Sequence, residues 1–285
     1  MYKNEQQPSI RVAILDLYEG HANQGMRCLR ELLQEFARQH QLKLVCDEFE
    51  VRQHKQLPDF SYDLYISSGG PGSPLDSEGS EWEQLYFNWI QQTIRFNEDD
   101  KNQHKKYVFF ICHSFQLACR YFNIAKVTRR RSTAFGVFPV HMLPDGTNEP
   151  IFAGLQDPFY VLDSRDYQVV QPDYDKLQEL GASLLAIEKE RPHVPLERAI
   201  MGVRFNQYMV GTQFHPEADA VGTSMYLQRD DRKQIVVDNH GFEKWQSMIE
   251  QLNDPDKILY TYAHVIPNFL NLATEQLLSE TQHVV

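Results

Sequence analysis

Short apolar runs alternate with amphipathic stretches along the first 122 residues of the chain. A run of apolar residues predicts a buried strand, and apolar residues that recur every three or four positions predict a helix. The predicted strands cover residues 10–16, 42–51, 62–67 and 107–111, and the predicted helices cover residues 23–40, 81–96 and 114–122. This alternation indicates an α/β three-layer sandwich in which a mostly parallel central sheet is flanked by helices.

The pattern changes to strands after residue 130 and to helices after residue 217. The later predicted strands cover 133–142, 159–162, 184–188, 198–205 and 208–213, and the later predicted helices cover 241–252 and 255–279. The apolar residues of the last two helices need burial. We therefore expect one domain over residues 1–220 and a helical C-terminal extension over 221–285 that packs on it.

The composition is that of a soluble globular protein. The chain of 285 residues is 42% hydrophobic and 24% charged, with a formal net charge of −11. The negative charge argues against a nucleic-acid partner, because such binding depends on cations that contact phosphates. No apolar run approaches the roughly 18 to 20 residues of a membrane span, and the N-terminus has no apolar signal core. We expect a cytoplasmic protein.

The four cysteines predict free thiols. Cys28, Cys46, Cys112 and Cys119 form no Cys-x-x-Cys pair, and no histidine cluster accompanies them. A zinc site or a disulfide framework is therefore disfavoured, and no cofactor is implied. Free thiols suit a reducing compartment.

One of these cysteines occupies a special position. Cys112 stands where the apolar run 107–111 stops and an amphipathic helix begins. The backbone dipole at a helix N-terminus favours a thiolate, and the amide of His113 would face an oxyanion formed nearby. The alternative is a buried core cysteine, which is the preferred interpretation for the other three.

A glycine-rich segment follows the predicted strand 62–67. Its sequence over residues 67–74 is Ser-Ser-Gly-Gly-Pro-Gly-Ser-Pro. Glycines at the carboxyl end of a strand allow backbone amides to approach a ligand, so Gly70 is a candidate second oxyanion donor. A plain tight turn is the alternative. A Walker-type phosphate loop is excluded, because no Gly-Lys-Ser or Gly-Lys-Thr follows.

His215 and Glu217 lie two residues apart, directly after another strand-like run. Side chains at this spacing on an extended segment project to the same side, so the carboxylate can orient the imidazole. With Cys112 they provide a thiol, a base and an orienting carboxylate, which is the minimum set for thiol acyl transfer.

Together these motifs resemble the class I glutamine amidotransferases, and within them a stand-alone glutaminase domain of the GMP-synthase type. The resemblance covers roughly residues 10–220 and rests on the Cys112 turn, the Ser-Gly-Gly-Pro-Gly loop and Gly-Thr-Gln-Phe-His-Pro-Glu at 211–217. It implies a flavodoxin-like fold and attack on a glutamine or γ-glutamyl amide through a thioester. It also implies a role for each matching residue: Cys112 as nucleophile, His215 as general base and acid, Glu217 as its orienting partner, Gly70 and His113 as oxyanion hole, and Gly69, Gln116, Arg165 and Tyr167 as substrate-binding residues.

Several positions depart from the family pattern, among them Ala134-Phe135-Gly136, where the family often has a glutamate before the glycine. Phe110 and Ser114 replace the glycines usually found two residues before and after the cysteine, and Arg165 replaces a histidine of a Ser-His-x-Asp segment. These changes leave the three catalytic candidates intact. They favour a substrate other than free glutamine, with Phe110 expected to intrude near the nucleophile.

Three functions stay open from the sequence. The chain is a self-contained enzyme acting on a γ-glutamyl amide, or a glutaminase subunit that passes ammonia to a separate synthetase, or an inactive binding or assembly module. The intact triad disfavours the third, and the form of the two motifs disfavours acyl transfer to homoserine. The expected partners are a small-molecule amide and either a synthetase subunit or further copies of the same chain.

Overall fold

A computed structural model of the protein describes residues 8–254 and 256–282, the last seven of these without their side chains. The polar segment 1–7 and residue 255, where the last helix is predicted to begin, lie outside the described residues. Nine strands of this part of the chain form one sheet, in the spatial order β2-β1-β3-β4-β9-β8-β7-β5-β6. The strands are β1 Ser9–Asp16, β2 Lys43–Glu50, β3 Leu64–Ser67, β4 Tyr107–Ile111, β5 Ala125–Met142, β6 Phe159–Pro172, β7 Ser183–Glu188, β8 Ile200–Asn206 and β9 Met209–Thr212.

The sheet is mixed. The five strands from β2 to β9 in the spatial order pair in parallel. The pairings from β9 through β8, β7 and β5 to β6 are antiparallel. Because the carboxyl ends of parallel strands share one edge, the loops after β1, β3, β4 and β9 meet there.

Helices cover both faces of the sheet, which confirms the predicted α/β sandwich and the helical C-terminal segment. They are α1 Gly25–Gln39, α2 Glu81–Glu98, α3 His113–Phe122, α4 Tyr174–Leu180, α5 Ala220–Leu227, α6 Asp230–His240, α7 Phe242–Leu252 and α8 Ile258–Gln282. Two short 3₁₀ turns, Pro144–Asn148 and Pro150–Phe152, connect β5 to β6. In the portion of the chain described, none of these helices combines the length and the apolar character that a bilayer crossing needs.

Two hydrophobic cores lie on opposite faces of the sheet. One contains buried side chains of α1 and α8, and the other contains those of α2 and α3. The last helix is central to the first core: Phe269 is buried and its ring packs edge-on against Phe109 of β4, with centroids 5.2 Å apart. Thus α8 belongs to the same layer as α1.

Helices α5, α6 and α7 form a third, smaller core against the β5–β6 hairpin. Its buried members include Val137 of β5, Leu227 of α5 and Met248 of α7. An ion pair fastens this unit to the first layer, since Arg27 Nη2 of α1 lies 2.6 Å from the Asp219 carboxylate, which also caps α5.

Several elements were longer or more numerous than predicted. The strands β5 and β6 extend beyond the predicted 133–142 and 159–162. Their additional residues were missed because they are mostly polar or charged and form no long apolar run. The short helix α4 was not predicted, and α5 and α6 had no predicted bounds of their own within the helical extension. Val236 is the buried residue of α6, so this helix carries almost no apolar periodicity.

A buried network of ion pairs links strands β5, β6 and β7. The Arg165 guanidinium donates from Nε to the Asp163 carboxylate at 2.9 Å and lies 3.5 Å from Glu188. Glu188 also pairs with Arg130 at 3.1 Å and Arg191 at 2.9 Å. Burial opposes ionisation of Glu188, but these three guanidinium groups outweigh it and hold the pKa of Glu188 below its ordinary value.

We predict that Gly211→Ala destabilises the fold. A Cβ at Gly211 of β9 would lie 2.8 Å from the backbone oxygen of Phe110 and 3.0 Å from the Phe115 ring. Backbone atoms in the middle of a sheet cannot retreat, so the free energy of unfolding in urea should fall by about 1–3 kcal/mol. The control is Gly202→Ala on the adjacent β8, where the nearest atoms to a new Cβ are side-chain atoms at 3.4 Å. Equal effects of the two substitutions would contradict this packing.

We also predict that Glu188→Gln removes an acid-sensitive part of the stability. The variant leaves the buried Arg130 guanidinium without its carboxylate partner, so the free energy of unfolding at pH 7 should fall by about 3 kcal/mol. Because the folded pKa of Glu188 is depressed, its contribution is present above the unfolded value of about 4.3 and is lost as the pH falls through the folded value. The difference between wild type and variant should therefore shrink below pH 4. Glu179→Gln, which removes an exposed partner of Lys176, is the control. A pH-independent difference would refute this reasoning.

Candidate active site

Cys112 lies on a strained turn between β4 and α3. Its backbone has φ 48° and ψ −96°, a conformation that non-glycine residues rarely adopt and that recurs at functional sites. Its amide donates to the Thr212 carbonyl of β9 at 2.8 Å, and its own carbonyl accepts from the Gln116 amide at 3.0 Å. The side chain is 5% exposed and lines a cavity, so the sulfur is reachable although mostly covered.

Ser114 supports this turn. Its hydroxyl accepts from the Ile111 amide at 2.8 Å and donates to the Ser67 carbonyl at 2.7 Å. One side chain thereby connects β3, β4 and the first turn of α3. The departure from glycine at this position contributes hydrogen bonds to the turn rather than crowding it.

Phe110 does not intrude on the site. Side chains alternate across a strand, and Phe110 points into the core on the α2–α3 face, where its ring packs edge-on against Phe205 at 5.7 Å. The expectation that this ring crowds the nucleophile is therefore wrong. The glycine that makes room for it is Gly211 on the neighbouring strand.

His215 and Glu217 are held beside the sulfur. The His215 amide donates to the Leu162 carbonyl of β6 at 3.0 Å, and His215 Nδ1 lies 2.8 Å from Glu217 Oε1. The Cys112 side chain lies beside the imidazole, since a Cβ at Gly69 would be in contact with both residues. Burial favours the neutral ring, but Glu217 and Cys112 outweigh it and raise the pKa of His215 well above its ordinary value. The imidazole can thus hold a proton between a carboxylate and a sulfur.

The glycine-rich loop packs tightly against this group. A Cβ at Gly69 would lie 2.9 Å from His215 Cε1 and 3.7 Å from Cys112 Cβ, and one at Gly70 would lie 2.5 Å from the Leu17 carbonyl oxygen. Residues larger than glycine do not fit at either position without a shift of the loop. Of the two, Gly70 lines the cavity.

A chain of amides lies on the other side of the sulfur. Gln213 Nε2 is 3.7 Å from the Cys112 sulfur, and Gln213 Oε1 accepts from Gln116 Nε2 at 3.1 Å. Gln116 Nε2 also donates to the Tyr167 carbonyl at 3.2 Å. These contacts fix the orientation of Gln116, which borders the cavity together with Tyr167.

Arg165 also borders the cavity, but its guanidinium is engaged in the buried network. The side chain is 1% exposed, and Nη1 donates to the Tyr167 carbonyl at 3.2 Å besides the ion pair with Asp163. Asp163 and Tyr167 thus hold the guanidinium, which has little freedom to turn toward a ligand. Its predicted direct contact with substrate stays a prediction.

His113 keeps a neutral ring. Burial, together with the nearby cations of Arg52 and Arg120, lowers the pKa of His113 to about 3. Its Nε2 is buried without a hydrogen-bond partner among the described residues. The predicted role of His113 depends on its backbone amide, and the uncharged ring is compatible with that role.

The cavity above the sulfur has a volume of about 540 Å³. It brings together all but one of the residues predicted from the sequence, the exception being Gly69, which packs directly behind His215. The predicted residues that line it are Gly70, Cys112, His113, Gln116, Arg165, Tyr167, His215 and Glu217. Across the residues that the structure describes, no group of three or more His, Cys, Asp and Glu side chains is arranged to hold a metal ion.

Three residues of this site were not assigned from the sequence. Gln213 bridges Cys112 and Gln116. Tyr18 follows β1, and a Cβ at Gly69 would lie 3.1 Å from its hydroxyl. Burial, then the charges of Glu217 and Cys112, raise the pKa of Tyr18 well above its ordinary value, so its hydroxyl remains a donor. Gly25, at the start of α1, leaves room for that hydroxyl, since a Cβ there would be 2.3 Å away. The signal that points to Tyr18 is its position at the carboxyl end of a parallel strand.

The fold has several counterparts of known structure. A glutamine amidotransferase from Thermotoga maritima is 17% identical, with a TM-score of 0.66 over 93% of this chain and 98% of that chain. A glutamine amidotransferase from Methylobacillus flagellatus is 13% identical, with a TM-score of 0.54 over 92% of this chain and 95% of that chain. The glutaminase domain of Trypanosoma brucei CTPS with bound acivicin is 13% identical, with a TM-score of 0.53 over 73% of this chain and 86% of that chain. At these identities the likeness shows a shared fold.

The family follows from a different comparison. No curated protein matches this chain. The family model of class-I glutamine amidotransferases matches residues 14–233. This match includes both the Cys112 turn and the segment that carries His215 and Glu217, and it spans well over half of the 285 residues. The chain belongs to the class I glutamine amidotransferase family.

Proposed function

We propose that this protein cleaves a γ-glutamyl amide through a thioester on Cys112. The observation that carries the proposal is the hydrogen-bonded pair Glu217–His215 beside Cys112, at a cavity large enough for a small molecule. A thiol, a base in contact with it and a carboxylate that orients the base are the groups that nucleophilic thiol catalysis requires.

The reaction takes place in two stages. His215 accepts the Cys112 proton as the sulfur attacks the γ-carbonyl carbon, and it then gives a proton to the nitrogen as the carbon–nitrogen bond breaks. Ammonia or an amine leaves, and a γ-glutamyl thioester remains. Water, deprotonated by His215, then attacks the thioester, so glutamate is released and the thiol is restored.

The backbone amides of Gly70 and His113 supply the oxyanion hole. In the stretches that the structure describes, neither amide donates a hydrogen bond to another residue. The positive end of the α3 dipole adds to the same effect, because His113 is the first residue of that helix. Both donors therefore favour the negative charge that develops on the attacked carbonyl oxygen.

Gln116, oriented by Gln213, contacts the γ-glutamyl group. Arg165 acts as a positioning residue: it holds the carbonyl of Tyr167 and the carboxylate of Asp163 on the strand that forms one side of the cavity. We propose this positioning role instead of a direct contact between the guanidinium and the substrate. Tyr167 and its neighbours then contact the amino-acid end of the substrate.

A second candidate is a glutaminase subunit that passes ammonia to a separate synthetase. The observation that favours it is the set of exposed apolar side chains on the C-terminal helices, a composition typical of partner surfaces. These residues are Val221, Met225, Ile235, Phe242, Leu259 and Tyr260. Copurification of a synthetase that raises the glutaminase rate would favour this candidate, and full activity of the isolated chain would argue against it.

We predict that Cys112→Ser abolishes turnover. Amine or ammonia release from glutamine and a panel of γ-glutamyl amides should fall by at least about a thousandfold, because serine at this position lacks an activated thiolate. Cys46→Ser, in β2 at the edge of the sheet, should retain activity. A diazo-ketone glutamine analogue should label Cys112 alone. If the wild type shows neither turnover nor labelling, both enzyme hypotheses are rejected. If Cys112→Ser keeps the cellular function, a binding or assembly module is favoured.

We further predict that Cys112 is the fastest thiol to alkylate near pH 7. Burial raises the pKa of Cys28 and of Cys46 to about 11, and it raises the pKa of Cys119 well above the ordinary value. These three thiols are therefore almost fully protonated at neutral pH and react slowly. Iodoacetamide labelling followed by peptide mass spectrometry measures each rate, and His215→Asn should slow Cys112 selectively. Equal rates at all four cysteines would contradict the role assigned to Cys112.

A further inference from the structure

The cavity at Cys112 has room for a ligand of drug-like size. Pockets of about 300–1,000 Å³ typically hold drug-sized ligands, and this cavity of about 540 Å³ lies within that range. Glutamine is smaller than such ligands. The additional space must adjoin either the glutamyl part of the substrate or the group attached to its γ-nitrogen.

Apolar side chains form one wall of this space. The wall is contributed by the β5–β6 hairpin and by helices α5 and α7, and its members also belong to the third hydrophobic core. They are Phe135, Leu162, Tyr226, Leu227 and Met248. The helices after residue 219 thus help to shape the site as well as to complete the fold.

On the proposed mechanism, the departing amine lies near this wall. His215 must stand next to the γ-nitrogen in order to protonate it, and His215 is paired with Leu162 through the hydrogen bond between their main chains. Leu162 is therefore the wall residue closest in the fold to the leaving group. The amide side chains of Gln116 and Gln213 form a separate, polar part of the site. Helix α3 and the segment after β9 contribute them, whereas the hairpin and the C-terminal helices contribute the wall.

The apolar surface of the wall disfavours a cationic amine. The guanidinium carbons of Arg229 and Arg232 lie 5.8 and 5.0 Å from the centre of the Tyr226 ring, but both groups pair with Asp231 and neither lines the cavity. The carboxylate of Asp166, at the exposed rim, accepts a hydrogen bond from the Thr133 hydroxyl. An ammonium group packed against the wall would face an apolar surface that cannot solvate it.

We propose that the substrate is a γ-glutamyl amide whose amine carries an uncharged apolar group of about the size of a benzyl ring. This inference rests on the proposed function, and it names the chemical class that the site selects. The γ-glutamyl part binds at Gln116 and the oxyanion donors, while the apolar group packs against the wall formed by the hairpin and the C-terminal helices. Cleavage then yields glutamate and the free amine.

The decisive experiment separates binding from turnover. Cys112→Ser protein is titrated calorimetrically with γ-glutamyl benzylamide, γ-glutamyl methylamide and γ-glutamyl 2-aminoethylamide. Burial of a ring of this size should strengthen binding by about tenfold or more over the methylamide. The cationic amide should bind no better than the methylamide. Equal affinity for the benzyl and methyl compounds, or a preference for the cationic one, would overturn the inference.

Substitutions in the wall test its position. Tyr226→Ala should lower the benzyl-to-methyl affinity ratio by at least about threefold, because it removes a large apolar contact. The matched control is Met225→Ala on the same helix, which removes a side chain that is 67% exposed and does not line the cavity, and the ratio should stay unchanged. Phe135→Ala on the hairpin provides a second wall variant if Tyr226→Ala is unstable by its unfolding midpoint. An unchanged ratio in both wall variants would refute the assignment.

Wild-type turnover distinguishes failure of this inference from failure of the proposed function. Cleavage of all three amides with equal kcat/KM would reject the apolar specificity alone. Absence of cleavage and of diazo-ketone labelling would reject the proposed function and, with it, the substrate assignment. A higher kcat/KM for the benzylamide than for the methylamide would support both.

Discussion

The site depends on the parallel pairing of β4 with β9. This pairing puts Ile111 opposite Thr212 and lets the Cys112 amide bond to the Thr212 carbonyl at 2.8 Å. Cys112 and His215 are 103 positions apart in the chain, yet they emerge next to each other because both follow the carboxyl ends of neighbouring strands. A slip of either strand by one residue would send the side chains of the pair to opposite faces. The register of two buried strands therefore determines whether the sulfur and the imidazole meet.

The strained backbone at Cys112 is stabilised by its surroundings. A positive φ at a non-glycine residue costs free energy, of the order of 1–3 kcal/mol, and persists where neighbouring contacts impose it. Here the Ser114 hydroxyl supplies bonds to β3 and β4, and Gly211 leaves space for the Phe110 side chain on the opposite face. The departures from the family pattern on either side of the cysteine are thus accommodated by specific neighbours, and the turn keeps its shape.

Much of this arrangement could be predicted from the sequence, and the exceptions have physical causes. Strands such as β4 are uninterrupted apolar runs, so their existence and the position of Cys112 at the end of one were recognisable. The direction of the Phe110 side chain was misjudged because the residue is close to Cys112 in the chain. Closeness in the chain does not tell which face of the sheet a side chain points to. The partners of Arg165 were hidden because Glu188 lies on another strand and becomes a neighbour only through the order of the sheet. Tyr18 was missed because its one signal, a position just after β1, is shared by the neighbouring residues of the same loop.

The C-terminal helices, which follow the proposed boundary between residues 220 and 221, pack in two different parts of the molecule. Helix α8 covers the sheet beside α1, where Phe269 packs against Phe109 of the strand that leads to Cys112. Helices α5 and α7 instead pack on the β5–β6 hairpin and border the cavity. The family match ends at residue 233, before both α7 and α8 begin. Met248 of α7 therefore lines the cavity from outside the matched residues. On the proposed function, Cys112 and His215 follow strands of the sheet, so substitutions in α7 can change the substrate preference while the chemistry is retained.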